Sequence, residues 1–258
     1  MFRILNVHLL LMLALMLASV EAYSQFDTEE FDSLENKILY NRQVTYGVIL
    51  HNLGLGFQFR TGKRLSIFKT RMWEFEFVNM RSYKQIRLQT YYPNSRSYIY
   101  GKMNNAYFLR AGIIWKKLLN RKPYWGGVEL RFLYGGGFSL GIGKPYYYYI
   151  IYPTSGGEFI DHLELERFDP SSQSTTYIYG RGPFSKGFSE ITLHPGIYLK
   201  AGLNFEFGVR STKIKALEVG AGLDVIPMGL SVMASNPKQI LFPNLYLNFS
   251  FGKRFNKY

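Results

Sequence analysis

Residues 191–207, which read ITLHPGIYLKAGLNFEF, decide the fold. Every second residue from Ile191 to Phe207 is apolar, while the residues between them include Lys200 and Glu206. Strict alternation predicts a β-strand, because successive side chains of a strand point to opposite faces. Strands of soluble domains usually span about 3–10 residues, whereas a tilted strand that crosses a membrane needs about 9–11 and often continues beyond the bilayer. The length of this stretch leaves two folds open: a soluble sandwich, or a membrane barrel whose apolar face meets lipid.

Residues 1–22 have the features of a secretory signal peptide. Arg3 supplies the positive charge, residues 9–20 form the apolar core, and Val20-Glu21-Ala22 is a suitable cleavage site, with Ser24 as a second candidate. The alternative is a membrane anchor, but the apolar core is shorter than the roughly 20 residues that a spanning helix needs. The sequence contains no cysteine, which excludes lipoprotein processing, disulfides and cysteine-based catalysis or metal binding.

The composition of the exported chain favours the outer membrane of a Gram-negative bacterium. The sequence has 21 Tyr, 21 Phe and 25 Gly but no second hydrophobic helix, and strands can also satisfy the backbone within a bilayer. Residues 23–37 are acidic and aperiodic and predict a flexible periplasmic lead-in, followed by a barrel over residues 38–258. The net charge is +13. Because the chain is exported and lacks a clustered Lys/Arg run, we expect this charge to meet outer-membrane lipid and lipopolysaccharide rather than nucleic acid.

The same alternation predicts seven more strands. They lie near residues 38–50, 53–59, 73–77, 107–115, 128–142, 217–225 and 245–251. At His51-Asn52 the alternation changes phase, which indicates either a tight hairpin or one long strand with a bulge. Short turns at 61–64, 118–123 and 208–212 alternate with longer breaks at 88–97, 144–187 and 227–239. Eight strands with alternating connection lengths predict a closed antiparallel up-and-down transmembrane barrel of monomer size, with both termini in the periplasm.

The polar faces of these strands carry nearly balanced charges. The cations are Arg60, Lys102, Arg110, Arg131 and Lys200, and the anions are Glu74, Glu76, Glu129, Glu206, Glu218 and Asp224. An eight-stranded barrel is just wide enough for side chains to fill its interior. The pattern therefore predicts a lumen plugged by ion pairs rather than an open channel. Glu74 and Glu76 share one face of a strand and also fit a catalytic carboxylate pair, but we favour ion pairing in the lumen.

The sequence offers one weak catalytic candidate, His194, which is predicted to face inward near the outer rim, with Ser189 close by. Some small outer-membrane barrels are lipid-modifying enzymes that use Ser and His at this height, but no supporting motif is present, and a histidine packed in the lumen is the favoured interpretation. His51 falls in the proposed hairpin and His162 in the long acidic loop. No catalytic, metal or cofactor site is predicted, since paired ligands at metal spacing and a phosphate-binding glycine loop are lacking.

Two groups of tyrosines flank the predicted strands. They are Tyr146 to Tyr149 with Tyr152, and Tyr91-Tyr92 with Tyr98 and Tyr100. Both groups lie where strands leave the bilayer, and aromatic girdles at the membrane interface account for these positions. A surface that binds sugars or a protein partner is the alternative, because tyrosine is also favoured at interfaces. Gly135-Gly136-Gly137 lies within a strand pattern, where it is expected to allow curvature or close packing.

Three segments carry a family resemblance: Tyr46–His51, Lys200–Phe207 and Leu245–Arg254. With them, residues 38–258 resemble the small outer-membrane β-barrel proteins of Bacteroidota, including PorT-type barrels associated with type IX secretion. The resemblance implies that the last segment is recognised by the barrel-insertion machinery, and it assigns no functional residues.

The sequence as a whole predicts a structural component, or an accessory component of secretion or assembly, that acts through loops or periplasmic contacts. The alternatives are an enzyme that modifies lipid A through His194 and a small-solute channel. Each alternative has its own signature. Activity on lipid A that is lost on His194→Ala would indicate the enzyme, and conductance in planar bilayers would indicate the channel.

Overall fold

A computed structural model of the chain describes residues 40–121, 127–153, 160–169, 177–207, 212–234 and 236–256. The predicted signal peptide (1–22) and acidic lead-in (23–37) lie outside the described residues. None of the described residues belongs to a helix that is long and apolar enough to cross a membrane. Nearly all of the regular structure among the described residues is β-strand, and Phe188–Glu190 forms a short 3-10 turn.

Eight long strands close into one antiparallel barrel, which confirms the predicted fold class. They are β1 (Arg42–His51), β2 (Gly54–Arg64), β3 (Lys69–Met80), β6 (Asn104–Asn120), β7 (Glu129–Pro145), β11 (Thr192–Glu206), β12 (Lys213–Leu230) and β13 (Gln239–Phe255). Neighbours around the barrel are consecutive barrel strands, and β1 pairs with β13 to complete the ring. The stretch 191–207 forms β11, between β7 and β12.

Five shorter strands lie outside the barrel wall. Strands β4 (Arg87–Leu88) and β5 (Tyr98–Ile99) form a small hairpin, and β8 (Tyr147–Pro153), β9 (Ile160–Arg167) and β10 (Ile178–Arg181) form a separate sheet in the order β10-β8-β9. All five belong to connections at one end of the barrel, here called the loop end. The opposite end, where β1 begins and β13 ends, is called the terminal end. Described parts of the break predicted at 144–187 thus form a small three-stranded sheet.

The phase change after His51 is a hairpin, because β1 and β2 pair in register from Arg42/Lys63 to His51/Gly54. The turn predicted at 61–64 is wrong. Strand β2 continues through Arg64 and turns only at residues 65–68. The period of two persists there, but the outward side chains are polar, so the apolar alternation that marks the strand stops early.

The barrel wall is apolar outside and polar inside. The outward side chains of Phe57, Trp73, Phe138 and Leu245 are 66%, 56%, 79% and 65% exposed, whereas the inward neighbours of Trp73 on β3 are buried. A continuous apolar surface around a whole barrel is far larger than the patches that soluble monomers expose. It matches the lipid-facing band of a transmembrane barrel, and the predicted sandwich alternative is thereby excluded.

Candidate functional site

Glycines at inward positions make room for large polar side chains in the interior. At Gly220 a Cβ atom would lie 2.7 Å from the Tyr246 hydroxyl, and at Gly112 it would lie 2.6 Å from the Tyr198 hydroxyl. Both tyrosines are almost fully buried and donate to carboxylates of the interior. In the interior, a glycine on one strand therefore leaves space for a large tyrosine on another, which is the packing that a narrow closed lumen requires.

Arg60 is at the centre of the polar interior. Its Nε atom donates to Glu74 Oε2 at 2.5 Å, and its two terminal nitrogens donate to the two Glu218 oxygens at 2.6 and 2.9 Å. All three side chains have no exposed surface. A guanidinium with two buried carboxylate partners joins β2, β3 and β12 across the lumen, and the paired geometry compensates the loss of hydration that burial causes.

A second set of ion pairs lies beside the first. Arg110 donates to Glu76 at 3.0 Å and to Asp224 at 2.9 and 2.5 Å, and Lys200 lies 2.5 Å from Glu76. Neutral groups satisfy further carboxylate oxygens: Gln58, Ser139, Tyr198 and Tyr246 each donate to an acid of the network. Each charged member is at most 7% exposed. At this height the lumen is filled by hydrogen-bonded charges.

Most of the predicted inward charges belong to this network or to the pairs near the terminal end, where Arg131 contacts Glu129 and Arg254 lies 2.6 Å from Glu206. Glu74 and Glu76 are components of the buried network. The prediction that Lys102 faces into the lumen is wrong, because Lys102 precedes β6 and lies at the mouth of the barrel. The pairing scheme itself was missed, since its partners are up to 158 residues apart.

A hydrophobic layer fills the interior between the charged network and the loop end. Its members are buried residues from inward positions and from two connections: Ile49, Leu53, Val78, Met80, Ala106, Phe108, Ile226, Leu230, Val232, Met233, Phe242 and Tyr246. The rings of Phe108 and Phe242 meet edge to face with centroids 5.0 Å apart. Apolar side chains that face each other inside the barrel exclude water, so this layer closes the lumen a second time.

Backbone pairing across the mouth closes the barrel a third time. The Met103 N–H donates to the Val232 carbonyl at 2.9 Å, and the Ala234 N–H donates to the Gly101 carbonyl at 2.7 Å. These segments precede β6 and follow β12, and two strands of the ring, β7 and β11, separate β6 from β12. The paired segments therefore span the opening, and we call them the mouth bridge.

The sheet β10-β8-β9 and the hairpin β4-β5 cover the mouth bridge, and we call them the cap. The hydroxyl of Tyr148, which has no exposed surface, donates to the Ile99 carbonyl at 2.6 Å, accepts from the Lys102 N–H at 2.9 Å and lies 3.0 Å from the Lys102 carbonyl. The cap has its own core of buried residues: Tyr98, Tyr146, Tyr148, Ile150, Phe168 and Ile178. Tyr98, Tyr146 and Tyr148 were predicted in membrane girdles, and that prediction is wrong for them, because they pack inside the cap.

Lys102 is a buried cation at the junction of the bridge and the cap. Its side chain lies 5.3 Å from the ring centroid of Tyr146, and no described carboxylate forms an ion pair with it. Burial is the main cause that lowers the pKa of Lys102 to about 8, and the nearby charges of Arg81, Arg181 and Arg87 contribute to the same shift. The cap is therefore assembled over a lysine that is easier to deprotonate than usual.

The predicted rim residues do not assemble into a catalytic group. His194 faces inward on β11, with Nε2 3.1 Å from the Thr192 hydroxyl and no hydrogen-bond partner on Nδ1. Ser189 is exposed in the 3-10 turn, and no hydrogen bond joins it to His194 among the described residues. His51 ends β1 and accepts from the Leu53 N–H, and His162 lies on β9 beside Glu164. The described residues contain no cluster of three or more His, Cys, Asp or Glu that could hold a metal ion.

No protein-family model and no curated protein matches the chain. Among solved structures it is similar to Ail, the attachment invasion locus protein of Yersinia pestis, with 8% identity over 84% of this chain and 100% of that one and a TM-score of 0.37. Neisserial surface protein A has 10% identity over 84% and 97%, with a TM-score of 0.36. Ail in complex with the heparin analogue sucrose octasulfate has 9% identity over 84% and 100%, with a TM-score of 0.35. Similarity at this level transfers no role to this chain.

Proposed function

We propose that this protein is an integral outer-membrane barrel that conducts no solute and serves as a structural component or as an accessory component of secretion or assembly. The observation that carries the proposal is closure at three heights: the charged network, the hydrophobic layer and the mouth bridge beneath the cap. Because described residues close the lumen at these three heights, we assign the function to the outer surfaces. The outer membrane is supported by the predicted export signal together with the apolar barrel wall.

The loop end is the favoured contact surface, with both termini in the periplasm. The cap has a packed core and is held to the barrel by Tyr148, so it presents a fixed surface. Large apolar side chains are exposed on the connection that carries β4 and β5: Tyr83 is 77%, Ile86 is 70% and Tyr91 is fully exposed. Exposed aromatic side chains on an ordered scaffold are typical anchors of protein interfaces. The proposed partners are secretion or assembly proteins, in keeping with the resemblance to PorT-type barrels.

The proposal is tested by affinity purification from native membranes after mild crosslinking. We expect secretion or assembly proteins to co-purify with the full chain, and we expect Tyr83→Ser/Ile86→Ser/Tyr91→Ser to lose them. The control Lys84→Ser/Arg87→Ser changes exposed charges on the same connection and should keep them. Equal recovery with all three proteins would contradict a role for this surface.

Planar-bilayer recordings test the closed lumen independently. The full chain should insert without conductance steps, because buried side chains and paired backbone among the described residues fill the lumen in three layers. Regular steps from the native chain would instead support the channel alternative. A loss of activity on lipid A in His194→Ala, with folding intact, would support the enzyme alternative, for which the geometry around His194 gives no positive indication.

A further inference from the structure

Basic side chains line the outer wall at the terminal end of the barrel along an arc of six neighbouring strands. This arc, here called the basic belt, consists of Arg42, Lys63, Lys69, Arg71, Lys117, Lys213 and Lys253. They occupy outward positions on six strands that are consecutive around the barrel, from β6 through β3, β2, β1 and β13 to β12. All but the half-buried Arg42 are exposed, and none of the seven forms an ion pair with a described residue.

Several belt residues face each other directly. Lys63 is paired in register with both Arg42 and Arg71, Lys69 is paired with Lys117, and Lys213 is paired with Lys253. Like charges at directly opposite positions of neighbouring strands repel and destabilise a sheet. Four such juxtapositions along one arc of the wall indicate that anions from outside the chain neutralise the belt.

The belt is level with respect to the barrel axis. If register partners are followed from Arg42 once around the barrel, the row ends at Leu245. The Leu245 carbonyl accepts from the N–H of Asn52, which lies ten residues after Arg42, just beyond the end of β1. A row of partners is therefore inclined, as strand tilt in a closed barrel requires. From Arg42 the row rises toward the loop end through β2, β3 and β6, and it falls in the other direction through β13 and β12. The basic positions compensate for this incline. Lys69 and Lys117 lie one outward position closer to the terminal end than the row, and Lys213 and Lys253 lie one outward position closer to the loop end. The shift keeps the charges at one height.

The neighbouring side chains mark this height as a membrane interface. Arg71 is paired with Trp115, and Trp73 is the next outward residue on β3, so two exposed tryptophans border the belt on the side of the apolar wall. Tryptophan favours the boundary between hydrocarbon and head groups. No described carboxylate faces outward from the barrel wall. Cations directly beyond an aromatic border lie at the depth of lipid phosphates.

We propose that the basic belt binds the head-group phosphates of anionic phospholipids in the leaflet at the terminal end. This inference rests on the proposed membrane location and deepens it by naming a lipid class and a leaflet. Phosphatidylglycerol has the required chemistry, because its single phosphate carries a net negative charge and can sit between two facing cations. Lys215, one outward position further along β12, would extend the contact by one head group.

The two bordering tryptophans allow a direct measurement. The full chain with Trp125→Phe is refolded into phosphatidylcholine bilayers that contain an equal mole fraction of either brominated phosphatidylglycerol or brominated phosphatidylcholine. Bromine quenches tryptophan on contact, so the ratio of quenching reports the lipid beside the belt. We expect about twofold enrichment of phosphatidylglycerol at low salt, and less at high salt because the charges are exposed.

Two charge-removing variants separate the belt from the rest of the surface. The belt variant R42Q/K63Q/K69Q/R71Q/K117Q should quench equally with both lipids, and the smaller K63Q/R71Q should show an intermediate ratio. The control K84Q/R87Q/R96Q/R181Q/K186Q removes the same number of charges at the loop end and should keep the native ratio. A native ratio of one, or a belt variant that keeps the native ratio, would overturn the belt while leaving the membrane location intact. A chain that neither lipid quenches, and whose gel mobility heating does not change, would overturn the proposed location itself.

Discussion

Removing the Arg60 guanidinium tests whether the charged network holds the barrel closed. In Arg60→Met the side-chain volume is nearly kept, but Glu218 loses the only described cation with which it forms an ion pair. Glu74 keeps Lys200 at 3.4 Å, so the damage is concentrated on Glu218. Leaving one buried carboxylate without its partner destabilises a protein by about 3–5 kcal/mol. We expect the free energy of unfolding to fall by about that amount.

A double variant isolates the charge from the packing. In Arg60→Met/Glu218→Gln the uncompensated charge is gone, while the amide oxygen still accepts from Tyr246. The remaining loss is that of the hydrogen bonds that Arg60 made, including its bond to Glu74, about 1–3 kcal/mol. The double variant should therefore be more stable than Arg60→Met alone. Lys63→Met, an exposed change on the same strand, should stay within about 0.5 kcal/mol of the native chain.

Urea unfolding of the chain refolded in bilayers, followed by tryptophan fluorescence and by gel mobility before and after heating, measures these differences. Two outcomes would refute the reasoning. One is an Arg60→Met variant whose unfolding midpoint equals that of Lys63→Met. The other is a double variant that is no more stable than the single one, because the loss would then come from packing and not from a buried charge.

Three further predictions concern the interior and the cap. Gly220→Ala should destabilise the barrel by about 1–3 kcal/mol in the same urea assay, because its Cβ would lie 2.5 Å from a backbone carbonyl and 2.7 Å from the Tyr246 hydroxyl. The control Gly222→Ala should be less destabilising, because its Cβ would contact only the movable Asn244 side chain at 3.0 Å. Tyr148→Phe should speed amide hydrogen exchange in β8 and β10 by roughly tenfold while the barrel strands stay protected, because one buried hydroxyl with three partners is worth about 1.4 kcal/mol or more. Lys102 has a pKa of about 8 in the folded chain, which is below its value in the unfolded chain, so above pH 8 the unfolded state binds more protons than the folded state. The resistance of the cap to proteolysis should therefore rise from pH 8 to about 9.5, before free tyrosines ionise. This rise should vanish in Lys102→Met.

The sequence predicted the barrel because the apolar alternation is unbroken wherever a strand crosses hydrocarbon. The prediction of strand ends from apolar alternation was wrong where strands extend beyond the hydrocarbon layer. Residues 61–64 continue β2, and Lys213 to Ala216 begin β12, but their outward side chains are polar or basic, so a search for apolar alternation ends too early. The misplaced turn at 61–64 and the unrecognised basic belt therefore have one cause: the outer wall changes from apolar to cationic at the terminal end.

The cap and the ion-pair scheme were beyond sequence reasoning for two other reasons. Tyr146 to Tyr149 are identical residues, so the sequence does not distinguish the buried Tyr146 and Tyr148 from the half-buried Tyr147 and Tyr149. The partners in the lumen, such as Arg60 and Glu218, meet only because the ring places β2 and β12 three positions apart. Alternation assigned both residues to the interior correctly, but it contains no information on which inward charges face each other.

The distribution of hydrophobic residues differs between the two ends of the barrel, and this difference supports a role for the loop end. Near the terminal end the lumen is polar and the outer wall becomes cationic. Near the loop end the lumen is hydrophobic, so the barrel interior and the cap each contain an apolar core, with the mouth bridge between them. A barrel that needed only to anchor in the membrane would gain nothing from a second core above its rim. Folding of the cap costs conformational entropy, because its backbone is fixed outside the membrane. Its surface is therefore where a selected contact is expected.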